Sequence, residues 1–138
     1  MRALVLLLGA LMFHSVATAQ TGKITVYQNP DCGCCSAWAR YIESSGFDIK
    51  LAHVSDLQPI KDRLGVPANL RSCHTAVIES TGQIIEGHVP VSAVRKLLAD
   101  ASVKGVAAPG MPANAPGMGV LDGNLVTLDF EGKPFSKD

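Results

Sequence analysis

Apolar residues fall along this chain in short runs whose period switches between two and about 3.6, the pattern of alternating strands and helices. Ile24-Thr25-Val26-Tyr27 is β-branched and aromatic and ends at Asn29-Pro30-Asp31, which predicts a first strand. Ala37, Trp38, Tyr41 and Ile42 then recur at helical spacing until Gly46 stops the pattern. Residues 47–54 predict a second strand, with Phe47, Ile49 and Leu51 inward and Asp48 and Lys50 outward. Leu57, Ile60 and Leu64 predict a second helix capped by Ser55 or Asp56; Pro59 is best tolerated if Asp56 is the cap.

Two apolar-rich runs, 75–79 and 83–87, flank Ser80-Thr81-Gly82 and predict a hairpin with a three-residue loop. If Glu79 faces Gln83, counting back along both strands sets His74 opposite His88, and a one-residue slip still leaves them neighbours. Residues 91–101 predict a third helix with Val94, Leu97, Leu98 and Ala101 on one face. Beyond Gly105 the composition turns to Pro, Gly and Ala, and Pro-Gly-Met occurs twice, which reads as an ordered loop or a linker. Residues 125–130 predict a late strand closed by Glu131-Gly132-Lys133, with frayed residues after it.

The N-terminus changes the domain count. Met1-Arg2, an apolar run from Ala3 to Phe13 and the small-residue site Ala17-Thr18-Ala19 predict a secretory signal over residues 1–19, cleaved before Gln20. The apolar run is too short to span a bilayer stably. Residues 20–138 remain, one domain's length. Lys plus Arg and Asp plus Glu number 12 each, so there is no net field for nucleic acid or an acidic surface to exploit.

The chemistry is concentrated in Cys32-Gly33-Cys34-Cys35, three thiols at the junction of the first strand and the first helix. Exported disulfide frameworks spread their cysteines to close loops, whereas three of these four sit together. A thiol at a helix N-terminus gains thiolate character from the helix dipole, and thiolate is both nucleophile and metal ligand. Cys32 and Cys35 have the spacing of a dithiol redox pair, but Cys34 offers a competing disulfide partner. Successive thiols such as Cys34 and Cys35 chelate one ion only under strain and bridge several more easily. The remaining thiol, Cys73, is followed at once by His74, and soft thiolates with His and Met favour Cu(I) over a single tetrahedral zinc. Metal binding, dithiol exchange and inert structural cysteines all remain open on these grounds. Met111 and Met118 are either thioether ligands or gap-filling hydrophobes. His53 has no chemical neighbour in sequence and reads as a surface histidine, and Trp38 reads as core.

The order of elements, with cysteines where the first strand meets the first helix, resembles the α/β thioredoxin-like fold, a single mixed sheet flanked by helices. Here the Pro/Gly/Met-rich loop and an extra strand would follow it. That resemblance implies antiparallel first and third strands, which brings Cys73, His74 and the returning His88 to the end where Cys32 to Cys35 lie. Thioredoxins carry a cis-proline before the third strand; here Cys73-His74 stands there, which weakens an oxidoreductase reading.

A finer resemblance is to the CopG-type family of exported copper-resistance proteins. It is carried by Asp31-Cys32-Gly33-Cys34-Cys35 with Trp38, Gly65-Val66-Pro67, Ser72-Cys73-His74-Thr75, Glu86-Gly87-His88-Val89-Pro90, and the two Pro-Gly-Met pieces ending at Met111 and Met118. It implies a periplasmic copper-binding protein of copper homeostasis, with a redox role on copper. The expected ligands are Cys32, Cys34, Cys35 and Cys73, with His74 and His88 beside them and the loop bearing Met111 and Met118 covering the site. The expected partners are copper ions and other periplasmic copper-handling proteins, not nucleic acid and, after signal cleavage, not a membrane. The expected state is a monomer. Thiol-disulfide exchange, copper reduction and copper delivery to a partner are the alternative activities.

Overall fold

The computed structural model describes residues 22–138, so the expected signal segment lies outside the described residues. The chain forms β1 (Lys23–Gln28), α1 (Gly33–Ser44), β2 (Asp48–His53), α2 (Gln58–Arg63), a 3-10 turn (Ala68–Leu70), β3 (Thr75–Ile78), β4 (Ile84–Glu86), α3 (Val91–Ala99), β5 (Gly105–Ala107), β6 (Val126–Asp129) and β7 (Pro134–Lys137). All seven strands belong to one mixed sheet in the order β2-β1-β3-β4-β5-β6-β7. β1 runs parallel to β2 and antiparallel to β3, and β4 runs parallel to β5. The first four strands and three helices have the expected thioredoxin-like order, and β5 to β7 extend the sheet beyond β4.

Strand alternation divides the sheet's faces. Ile24, Val26, Ala76, Ile78, Ile85 and Val106 join Trp38 and Ile42 of α1 and Val94 and Leu97 of α3 in one buried cluster. The alternate residues Thr75 and Glu86 meet Lys61 of α2 instead. Lys61 is the buried residue of α2, while Leu57, Ile60 and Leu64, on which the helix was expected to rest, are only half-buried. The cap is Leu57, whose side chain makes no capping bond, rather than Ser55 or Asp56; Asp56 Oδ1 accepts the Gln58 N–H at 2.9 Å just before the helix.

Several local expectations are corrected. The hairpin pairs Thr75 with Glu86 and Ala76 with Ile85, and Ile78 N–H donates to Gln83 O. Ile78 rather than Glu79 therefore faces Gln83, the loop is one residue longer, and the register is slipped by one. Leu51 is 43% exposed rather than inward, on β2, the edge strand of the sheet. α3 ends at Ala99, leaving Ala101 exposed. The stretch expected to be a loop from Gly105 begins as β5, whose three residues are all buried. The last residues are not frayed: Pro134–Lys137 pairs with β6, and Leu125 and Asp138 exchange two backbone hydrogen bonds.

Candidate metal centre

β1 ends at Gln28, and Asn29 O accepts the Cys32 N–H at 3.0 Å, turning the chain into α1 with Cys32 at its cap. Cys34 and Cys35 therefore lie in the first helical turn. Cys32 and Cys35 form a disulfide, Cys34 Sγ lies 3.6 Å from Cys32 Sγ, and Cys34 and Cys73 are free thiols. Because β3 is antiparallel to β1, the residues just before it, Cys73 and His74, arrive at the end of β1 where this turn sits. The sulfurs of Cys32, Cys34, Cys35 and Cys73 all lie within 4.8 Å of one another.

Cys73 also belongs to a second ligand group with His74 and His88. The one-residue register slip places His88 across from Cys73, with His88 Nε2 at 3.0 Å from Cys73 Sγ. The two imidazoles remain neighbours, as expected under either register, with ring centroids 5.0 Å apart. His74 Nδ1 lies 3.4 Å from Cys73 Sγ. Trp38, in the core as expected, backs His74 at a centroid distance of 4.4 Å and donates its indole N–H to Val89 O.

The protonation pattern follows from these partners. Burial is the largest influence on His74 and holds it well below the ordinary imidazole value, with the nearby His88 and the Lys61 charge adding to it. Burial also lowers His88, against an opposing hydrogen bond to Pro116 O. A carbonyl only accepts, so His88 Nδ1, 2.7 Å from Pro116 O, carries the ring proton. Its Nε2 lone pair then faces the Cys73 thiol. Burial pushes that thiol up to about 11, so the proton stays on sulfur at neutral pH and a metal ion would have to displace it.

The loop from Pro109 onward folds onto the centre. Gly117 has φ +84°, and a Cβ there would stand 2.8 Å from Trp38 N, 2.9 Å from Cys34 O and 3.2 Å from His88 Nδ1. Only glycine allows this approach. At the other end of the loop Ser72 Oγ donates to Gly110 O. Met111 and Met118 follow these two anchor points and are 51% and 38% exposed, which disfavours a gap-filling role for either. His53, at the outer end of β2, is exposed and away from the cluster, as expected.

Soft sulfur donors beside neutral imidazoles fit a copper ion, and the buried His74 Nε2 has no hydrogen-bond partner among the described residues. The residues that the sequence pattern did not reveal lie behind the site. Lys61 Nζ is 2.5 Å from Glu86 Oε1 and donates to Thr75 Oγ1 at 2.8 Å; Thr75 Oγ1 donates to Glu86 Oε2 at 2.6 Å. Glu86 and Thr75 stand in the pieces that carry the family resemblance, but nothing in the sequence pattern marks Lys61 as their partner.

A family model described as a protein of unknown function, DUF411, matches residues 70–118, the stretch from the 3-10 turn through Met118. No curated protein matches the chain. Two solved structures of the copper resistance protein CopG, form 1 and form 2, are each 36% identical to it, with TM-scores of 0.75 and 0.74. The likeness covers 86% of this chain and 98% and 99% of theirs. Identity at that level over nearly the whole of both relatives, with the same fold, means that the chain belongs to the CopG family of copper resistance proteins.

Proposed function

We propose that this protein binds Cu(I) in the periplasm, taking more than one ion, as part of copper homeostasis and resistance. The observation that carries this reading is the convergence of four sulfurs within 4.8 Å, one of them shared with a group of two buried histidines. Cys32, Cys34, Cys35 and Cys73 supply the thiolates once the disulfide is reduced, His74 and His88 supply nitrogen, and Met111 and Met118 supply thioethers from the covering loop. The adjacent Cys34 and Cys35 side chains diverge and chelate one ion only under strain, whereas bridging sulfurs hold several Cu(I) ions. The copper-resistance relatives support the choice of metal.

The Cys32–Cys35 disulfide favours a second reading, redox chemistry at the same cysteines. Closing that disulfide from two thiols releases two electrons and two protons, which would reduce two Cu(II) ions to Cu(I); exchange with another protein's disulfide is the metal-free variant of the same chemistry.

Anaerobic Cu(I) titration of the reduced protein against a competing chelator, beside a disulfide-reductase assay, separates the readings. The expected result is uptake of more than one Cu(I), with Cys73→Ser lowering both stoichiometry and affinity because a bridging sulfur serves two ions. A single weakly held ion, robust exchange activity and indifference to Cys73→Ser would overturn the cluster.

A further inference from the structure

Lys61 and Glu86 form an ion pair whose side chains are 2% and 0% exposed, on the sheet face opposite the main core. Burying such a pair usually contributes little stability over apolar residues of similar size. What the pair does hold is the backbone that carries Cys73. Glu86 Oε1 accepts the Ser72 N–H at 2.6 Å in addition to Lys61 Nζ. One residue beyond Cys73, His74 O accepts the Gly87 N–H at 3.0 Å. The peptide segment bearing Cys73 is thus pinned on both sides to the end of β4, and His88 is two residues further along the same chain. Thr75 Oγ1 closes the network from the start of β3.

We propose that Lys61 and Glu86 are positioning residues for Cys73. The buried pair fixes the Glu86 carboxylate, the carboxylate fixes the Ser72 amide, and the Cys73 sulfur is thereby held 3.0 Å from His88 Nε2 and within reach of the other three sulfurs. Neither residue touches the metal. The inference rests on the copper-binding reading above, and it assigns the geometry of that site to a charged network on the far side of the sheet.

Two double variants test it, because each removes both charges together and leaves no unpaired buried ion. Lys61→Met/Glu86→Gln keeps an acceptor for the Ser72 amide, whereas Lys61→Met/Glu86→Leu removes it. Both are expected to unfold in urea close to the unsubstituted protein. In the metal-free protein, hydrogen exchange at the Ser72 amide should accelerate at least about tenfold in the Met/Leu variant alone, with the Ala76 and Val77 amides still protected. Cu(I) affinity, measured by competition with bicinchoninate, should fall about tenfold or more in that variant, and the thiolate-to-metal band of the Co(II)-loaded form should shift. The Met/Gln variant should retain both signatures.

A folded Met/Leu variant with unchanged exchange, affinity and Co(II) spectrum overturns the proposal, as does equal damage in both variants. If the Met/Leu chain fails to fold, Thr75→Val removes only the bridging hydroxyl and must show the same changes in smaller degree; an unchanged Co(II) spectrum there overturns the proposal. Failure of the unsubstituted protein to take up Cu(I) would instead sink the copper reading, while the exchange measurement still decides whether the clamp exists.

Discussion

The three histidines among the described residues share a side chain and differ in what surrounds it. His74→Ala and His88→Ala should each weaken Cu(I) binding about tenfold or more, or change its spectrum, in a chain that remains folded, whereas His53→Ala should do neither. Equal losses at all three positions would contradict the assignment. Burial also sets a pH dependence. His74 is held neutral in the fold well below its ordinary value of 6.5, so the unfolded chain takes up its proton first as pH falls. Stability of the metal-free protein should therefore decline on acidification below that value, by up to about 1.4 kcal/mol per pH unit for this one group. Cys73 has the opposite edge: its proton is retained to about 11 in the fold, so stability is lost as pH rises through the ordinary thiol value of 9.0. Urea midpoints across the pH range check both slopes, and a stability that rises toward acid would contradict the burial of His74. The chemical identity of these residues was legible in the sequence, since Cys73-His74 adjoin and the hairpin count brings His88 close under either register. The burial of Lys61 and Glu86 as a pair was not, because a charged residue in an amphipathic pattern reads as solvent-facing until its partner is known.

Elements differ in how much of their stability is local. β1, α1, α2 and α3 carry periodic patterns of their own, and each forms near its expected place. β5 is three residues long, too short for any period, and exists because β4 offers it a parallel partner. β7 likewise depends on β6, and the hairpin register on a loop whose length cannot be counted from residue types alone. The covering loop makes the same point through its glycines. Gly117→Ala places a Cβ against the backbone of α1 in a left-handed conformation and should cost about 3 kcal/mol while loosening the Pro116 carbonyl from His88. Gly110→Ala, with φ +69° and nothing within 4 Å of the added carbon, should cost only about 1 kcal/mol. Urea unfolding of the two variants checks the difference, and equal losses would mean that the close approach at Gly117 contributes nothing.

At the scale of the whole molecule the proposed export requires the segment before Gln20 to be removed, so the intact mass of protein from the periplasm should correspond to residues 20–138. A membrane-bound form retaining Met1 to Ala19 would contradict it. No helix among the described residues is long and apolar enough to cross a membrane. The sequence by itself determined the order of the first four strands and three helices, the placing of three thiols at a helix start and the approach of two histidines, because local periodicity and hairpin counting are short-range properties of the chain. Only the tertiary structure decided which sulfurs meet, which cysteines pair as Cys32–Cys35, how the last three strands extend the sheet and that a buried ion pair stands behind Cys73. Those depend on contacts between residues far apart in the chain, whose distances are set by sheet register and packing rather than by any local preference.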